Sequence, residues 1–277
     1  RDITRDGQIN FDDLEWEYLN GDGDFRSPEV TKLRDEADII ITNPPFSLFR
    51  EFLAWIVEAN KKFLVIGNLN AITYKEVFPL IKENKLWLGP TISSGDREFE
   101  VPENYPLLAA GWRVDDKGKK YIRVKGVRWY TNLDHGRRHT PLVLMTEKDV
   151  VRYGLERPFE KYDNYDAIEV PKTKWIPSDY SGIMGVPITF LDKYCPEQFE
   201  ILGATQRGCH DAVPDFKKYD DYVEMSQSGG PTGCTGGKTN ENANLLVNDG
   251  KKNYFKNKEG RIVQSAYQRI FIRHKNL

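Results

Sequence analysis

Asp38-Ile39-Ile40-Ile41-Thr42-Asn43-Pro44-Pro45-Phe46 is the stretch that decides how this chain reads. Three consecutive isoleucines without polar alternation predict a strand over 38–42, buried on both faces in the middle of a parallel sheet. In open α/β sheets, ligands bind beyond the carboxyl ends of such strands, which places the chemistry at Asn43 and after. Pro44 and Pro45 lack backbone donors and hold φ near about −65°, so the chain there is rigid and its carbonyls point outward as acceptors. The Asn43 side chain adds another carbonyl beside them. Two fixed acceptors facing one spot suit the two N–H bonds of a planar exocyclic amine, and Phe46 offers a flat face on which the ring bearing it can stack.

Outward from that corner, the pattern predicts a doubly wound α/β sheet. Phe46, Phe49, Phe52, Leu53 and Ile56 recur at helical spacing over 46–60, with Ser47 near the start. Phe63-Leu64-Val65-Ile66-Gly67 reads as a second buried strand, 74–83 as a helix, and Leu86-Trp87-Leu88 as a short strand. Alternating strand and helix is the signature of parallel α/β architecture. Residues 91–116, punctuated by Gly, Pro and Ser, read as an irregular segment over the active site. Residues 121–130 alternate in type and predict a strand that forms an antiparallel hairpin with 141–146 at the sheet edge. After about residue 150 the periodicity fades, and 226–244 reads as a loop rich in glycine and hydroxyl groups. Arg269-Ile270-Phe271-Ile272-Arg273 predicts a short terminal strand.

Asn43-Pro44-Pro45-Phe46 resembles the Asn/Asp-Pro-Pro-Tyr/Phe motif of amino-group methyltransferases that use S-adenosylmethionine. Together with Gly21-Asp22-Gly23-Asp24-Phe25-Arg26-Ser27-Pro28, Lys62-Phe63-Leu64-Val65-Ile66-Gly67-Asn68 and Gly126-Val127-Arg128-Trp129-Tyr130-Thr131-Asn132-Leu133, it is similar to the EcoRI-type family of adenine-specific DNA methyltransferases over nearly the whole chain. The resemblance implies a Rossmann-like catalytic domain over 1–150 and a mixed α+β target-recognition region over 151–277. It implies methyl transfer from S-adenosylmethionine to the N6 amino group of a flipped-out adenine in double-stranded DNA, in restriction-modification. Asn43, Pro44, Pro45 and Phe46 are then the catalytic set, and Asp22, Asp24 and Phe25 join Asn43 at the cofactor. Asp24 would accept from the cofactor's amino group while Phe25 packs on its ring. In related enzymes an aromatic closes the other side of the base pocket. That makes Trp129 or Tyr130 the candidate, and only one of them, because strand neighbours point to opposite faces. A doubly wound methyltransferase should open with a strand and turn that cradle the methionine end of the cofactor. The chain reaches Asp38 after 37 residues, so that segment is expected upstream.

Such an enzyme needs neither a metal nor a covalent intermediate, since positioning alone can supply about 7–11 kcal/mol of the barrier. Extruding a paired base costs a few kcal/mol, which stacking on Phe46 and an opposing ring would offset.

Composition bounds the remaining possibilities. With 39% hydrophobic and 30% charged residues in 277, the chain can bury a sizeable core, and no run approaches the ~18 apolar residues of a membrane helix. Cys195, Cys209 and Cys234 are odd in number and widely spaced, which points to a reducing cytoplasm and free thiols rather than to zinc at Cys209-His210 and Cys234. Asn20-Gly21-Asp22-Gly23-Asp24 has turn composition but lacks the glutamate of a calcium loop. Gly237-Lys238-Thr239 resembles the end of a P-loop only superficially, since Thr232 stands where the first glycine must be. A monomer is expected.

The net charge of −2 does not advertise a nucleic-acid binder, but the charges are uneven. Residues 117–139 hold eight Lys or Arg against one acid, and 251–275 again eight against one, whereas the first 41 residues carry twelve acids to five bases. Arg123, Lys125, Arg128, Arg137, Arg138 and Lys252 are therefore candidate phosphate contacts, and Lys238, in the loop rich in glycine and hydroxyl groups, is another. Two other readings compete: the same reaction on RNA or on a protein glutamine, and a sequence-specific DNA-binding fragment without catalysis.

Overall fold

Four strands form the sheet that carries Asn43. In this computed structural model, which describes residues 3–8, 10–13, 18–90, 97–108, 111–205, 216–235, 238–250, 253–266 and 268–277, β1 (Ile39–Thr42) pairs in parallel with β2 (Lys62–Asn68). On its other side β2 pairs antiparallel with β7 (Val127–Thr131), and β7 with β3 (Trp87–Leu88). The order is β1-β2-β7-β3.

The first expectation is corrected here, because among the described residues β1 is an edge strand. Ile39 and Ile41 are 47% and 67% exposed, and Ile40 is the isoleucine that packs on the core. A run of apolar residues reports β propensity but not how many layers cover the strand, and among the described residues one face of β1 has no layer over it. The two-sided buried role falls to β2, whose Phe63 and Val65 are fully buried.

Two helices pack beside these strands. α1 (Pro28–Glu36) starts where Ser27 Oγ accepts from the Val30 amide at 3.2 Å, with Pro28 in the first turn, where its missing N–H and fixed φ suit a helix start. α2 (Phe49–Glu58) buries Phe49, Phe52, Leu53 and Ile56, the stripe that the sequence predicts, each contributing roughly 1.5–3 kcal/mol. Phe49 comes so close to β2 that a Cβ on Gly67 would sit 2.6 Å from its ring. The helix expected over 74–83 shortens to α3 (Phe78–Lys82), preceded by a 3-10 turn over Leu69–Thr73.

Two further expectations fail for local reasons. Residues 121–130 are not one strand: β6 (Lys120–Val124) ends before Gly126, whose φ of +68° turns the chain into β7. β6 instead joins β4 (Arg97–Val101) and β5 (Trp112–Val114) in a three-stranded antiparallel flap, so part of the segment expected to be irregular is sheet. Residues 141–146 form no hairpin with β7, and among the described residues their one ladder contact is a bridge between Met145 and Pro177.

The second half is mostly β rather than evenly mixed. β8 (Ala167–Glu169), β9 (Ile183–Pro187), β10 (Phe199–Ala204) and β16 (Arg269–His274) form one sheet in the order β10-β16-β9-β8. The expected terminal strand is thus a central one, with Ile270, Phe271 and Ile272 fully buried. β12 (Pro231–Thr235), β11 (Val223–Met225), β14 (Tyr254–Lys256), β15 (Ile262–Ser265) and β13 (Asn244–Leu246) form an antiparallel sheet in that order. The expected loop over 226–244 therefore contributes β12 and a 3-10 turn over Lys238–Glu241. One hydrophobic core runs through both halves, from Phe49, Phe63 and Tyr130 to Met184, Phe190 and Ile272.

Candidate active site

Asn43-Pro44-Pro45-Phe46 leaves the carboxyl end of β1, as the sequence indicates. Pro44 is buried and Asn43 exposed. Pro45 leads into a 3-10 turn over Phe46–Leu48, where its carbonyl accepts from the Leu48 amide at 2.9 Å. Neither the Asn43 side chain nor the Pro44 carbonyl has a hydrogen-bond partner among the described residues, so both acceptors stand open to a ligand. Phe46 is 40% exposed, leaving ring surface available beside them.

Next to this corner lies a cavity of about 540 Å³, lined by the whole of β1, Asn43, Pro44, Pro45, the Gly23-Asp24-Phe25 turn and residues of α1 and α2. Small-molecule sites span about 300–1,000 Å³. Its aromatic wall is Phe25, Phe52 and Trp55, with Phe25 set edge-on to both at centroid distances of 5.1 and 5.4 Å. Trp55, Phe52 and Arg34 were missed by sequence reasoning, because helical spacing marks Phe52 as core and gives no sign that a cavity opens beside it. Arg34 lies over the Trp55 ring at 4.7 Å and donates to the Trp55 carbonyl at 2.9 Å.

Asp24 carries the negative charge of this cavity. Arg26 donates to it through Nη2 at 2.6 Å, Nε at 3.0 Å and its backbone amide at 2.8 Å. The side-chain hydrogen bonds from Arg26 hold the carboxyl down at about 2, so it is ionised throughout the neutral range. These bonds occupy three of the roughly four lone-pair positions of a carboxylate, which leaves one for a ligand donor. Asp22 does not line the cavity; it braces Asp24 by accepting from that residue's amide at 3.0 Å.

The remaining candidates lie elsewhere. Tyr130 is fully buried, its ring 5.1 Å from Phe49 and its hydroxyl donating to the Asn68 carbonyl at 2.7 Å. Burial pushes that hydroxyl's pKa well up, and Tyr130 is a core residue rather than a wall of the cavity. Trp129 is half-buried on the opposite face of β7 and does not line the cavity either. Arg128 is withdrawn from the surface, 3% exposed, with Nε 3.1 Å from Asp192. Arg138 is buried too, 3.8 Å over the Trp87 ring and bonded to Asn84 and Asp134. Arg137, Arg123 and Lys125 are exposed. Lys252, Cys209 and His210 lie outside the described residues, as do the side chains of Lys238 and Cys234. Cys195 is buried, its thiol donating to Glu197.

The family model for the adenine-specific methyltransferase EcoRI matches residues 1–275. Over 195 residues, 70% of this chain and 59% of the relative, the sequence is 53% identical to the type II methyltransferase M.EcoRI of Escherichia coli. It is 42% identical to the type II methyltransferase M.MpnI of Mycoplasma pneumoniae over 70% of this chain and 61% of that one. M.MgeORF184P of Mycoplasma genitalium is 38% identical over 76% and 64%. These alignments span about three fifths of the relatives' length. No solved structure matches. The family model spans nearly the whole chain, and the chain belongs to the EcoRI family of adenine-specific methyltransferases.

Proposed function

We propose that this chain provides the catalytic core of a DNA methyltransferase that moves a methyl group from S-adenosylmethionine to the N6 amino group of an adenine flipped out of double-stranded DNA, in restriction-modification. The observation that carries it is the pair of open acceptors at Asn43 and Pro44, set at the carboxyl end of β1 against a 540 Å³ cavity with an aromatic wall and one carboxylate. The parallel β1/β2 pair and its helices fit a Rossmann-like sheet. Residues 1–150 form the catalytic part in this reading and 151–277 the target-reading part, and the protein acts as a cytoplasmic monomer.

The cavity fits S-adenosylmethionine by chemistry as well as size. Phe25, Phe52 and Trp55 offer ring surface to a purine, and Asp24 keeps a lone pair for an exocyclic amine. When bound, that group supplies an electrophilic methyl on a sulfonium, which leaves as a neutral thioether. The chain's own residues do the positioning. Asn43 Oδ1 and the Pro44 carbonyl accept the two N–H bonds of the target amine, which draws its nitrogen toward a pyramidal, more nucleophilic form. Phe46 stacks on the base. Pro44 and Pro45 hold both acceptors in place before the substrate arrives, and such pre-organisation is worth about 7–11 kcal/mol.

The test is transfer of labelled methyl from S-adenosylmethionine to mixed duplex DNA, followed by nucleoside analysis. N6-methyladenine formed by the unaltered chain and absent with Asn43→Ala, at unchanged melting temperature, is the expected result. RNA and protein glutamine serve as competing acceptors, and preferred labelling of either would displace the DNA reading.

A further inference from the structure

A second recess, of about 290 Å³, shares no lining residue with the Asn43 cavity, and its lining includes Arg137, Lys174, Lys193, Thr140, Leu142 and Val143. Three of its lining residues are cations and none is an acid. All three cations are exposed, and none has an ion-pair partner among the described residues. In a chain with 42 acids against 40 bases, the charged lining of this recess is of one sign. Arg137 and Lys193 also act on the Asp192 carboxylate, which Arg128 already holds, and an anion in the recess relieves the repulsion that remains among the three cations.

Topology places this recess at the same edge of the sheet as Asn43. β2 runs parallel to β1, and its carboxyl end, Gly67 and Asn68, pairs with Arg128 and Val127. Arg128 holds Asp192, and Lys193 follows it in the chain. β3 runs antiparallel to β7, hence parallel to β1, and exits through Gly89, whose amide donates to the Trp129 carbonyl at 2.9 Å. Arg137 Nη1 donates to the carbonyl of Pro90, the next residue, at 2.5 Å. With strands about 4.8 Å apart, β3 lies roughly 14 Å from β1 along this edge. That distance is about four base steps at 3.4 Å each.

We infer that Arg137, Lys174 and Lys193 form a phosphate-binding groove for the backbone of duplex DNA, several base steps from the position of a base held at Asn43. This rests on the reading of Asn43 as the target-base site. The Thr173 hydroxyl supplies a further donor to phosphate oxygens, and Val143, fully exposed, meets the sugar face. Lys174 and Lys193 come from the second half of the chain, so the groove joins it to Arg137 in one DNA-facing surface.

The experiment is fluorescence-anisotropy titration of a labelled mixed-sequence DNA duplex across a range of salt concentrations, with methyl transfer scored in parallel. Lys174→Ala combined with Lys193→Ala is expected to lower the slope of log K against log salt by about 1.8, at about 0.9 per lost phosphate contact. Lys174→Arg with Lys193→Arg should restore the slope, which a merely structural role would not predict. Lys32→Ala, on the exposed face of α1, should leave it unchanged. An unchanged slope in the double alanine variant overturns the groove, as does failure of the unaltered chain to bind the duplex, or a slope change seen on duplex RNA alone. If the slope falls as expected while the unaltered chain forms no N6-methyladenine, the groove stands and the enzyme reading fails. If N6-methyladenine forms while the slope stays put, the enzyme reading stands and the groove fails.

Discussion

Tyr130 shows how two residues side by side in sequence part company in space. Alternation puts Trp129 and Tyr130 on opposite faces of β7, and the structure turns Tyr130 into the core, where its hydroxyl meets the Asn68 carbonyl. Tyr130→Phe removes that hydrogen bond and keeps the ring. The expected loss is about 1 kcal/mol, read as a drop of a few degrees in melting temperature, with methyl transfer unchanged. A loss of transfer without a loss of stability would return Tyr130 to the base pocket. Asp24 is the opposite case. It lines the cavity, and Arg26 keeps it charged down to about pH 2, so under the proposed function its share of cofactor binding should not vary across the neutral range.

Between elements, His139 ties the segment after β7 to the turn before β10. Its ring lies between Asp134, 2.8 Å from Nε2, and Glu197, 2.8 Å from Nδ1, and Glu197 also accepts from the Cys195 thiol. Arg138, on the same segment, donates to Asp134 as well. Hydrogen bonds to Asp134 and Glu197 raise the His139 pKa above its ordinary 6.5. A raised pKa means that the stabilisation is fully present below the ordinary value and is lost as pH rises through the folded value. The melting-temperature gap between the unaltered chain and His139→Gln should therefore be widest in mild acid and close toward alkaline pH. A gap that widens with pH would overturn the assignment. The flap of β4, β5 and β6 depends on weaker ties. Its cross-strand pairs, Arg113 with Glu98 and Lys119 with Glu100, are exposed, so solvent and salt screen them and each adds little.

For the whole molecule, the buried Arg128–Asp192 pair and the continuous core weld the strands around Asn43 to the second half. Unfolding should follow a single cooperative transition, with fluorescence and circular dichroism coinciding. Arg128→Met leaves the Asp192 carboxylate half-enclosed without its partner, and removing one member of a buried pair costs about 3–5 kcal/mol. Burial already raises the Asp192 carboxyl against the pull of Arg128. A lone Asp192 can escape by taking a proton, so the loss should be largest near neutral pH and shrink as pH falls. Two separated transitions in the unaltered chain would mean that the halves fold independently.

The sequence by itself determined the Asn-Pro-Pro-Phe corner after a strand, the helix stripe of α2 and the β2 strand. Each of these is local, set by side-chain periodicity, proline stereochemistry or a few adjacent residues. Only the tertiary structure decided that β1 is an edge strand, that Gly126 splits one apparent strand between two sheets, and that Tyr130 and Arg128 are buried. The same holds for Trp55 at the cavity and for Lys174 and Lys193 beside Arg137. Burial and convergence depend on which distant segments pack together, and no window of neighbouring residues carries that information.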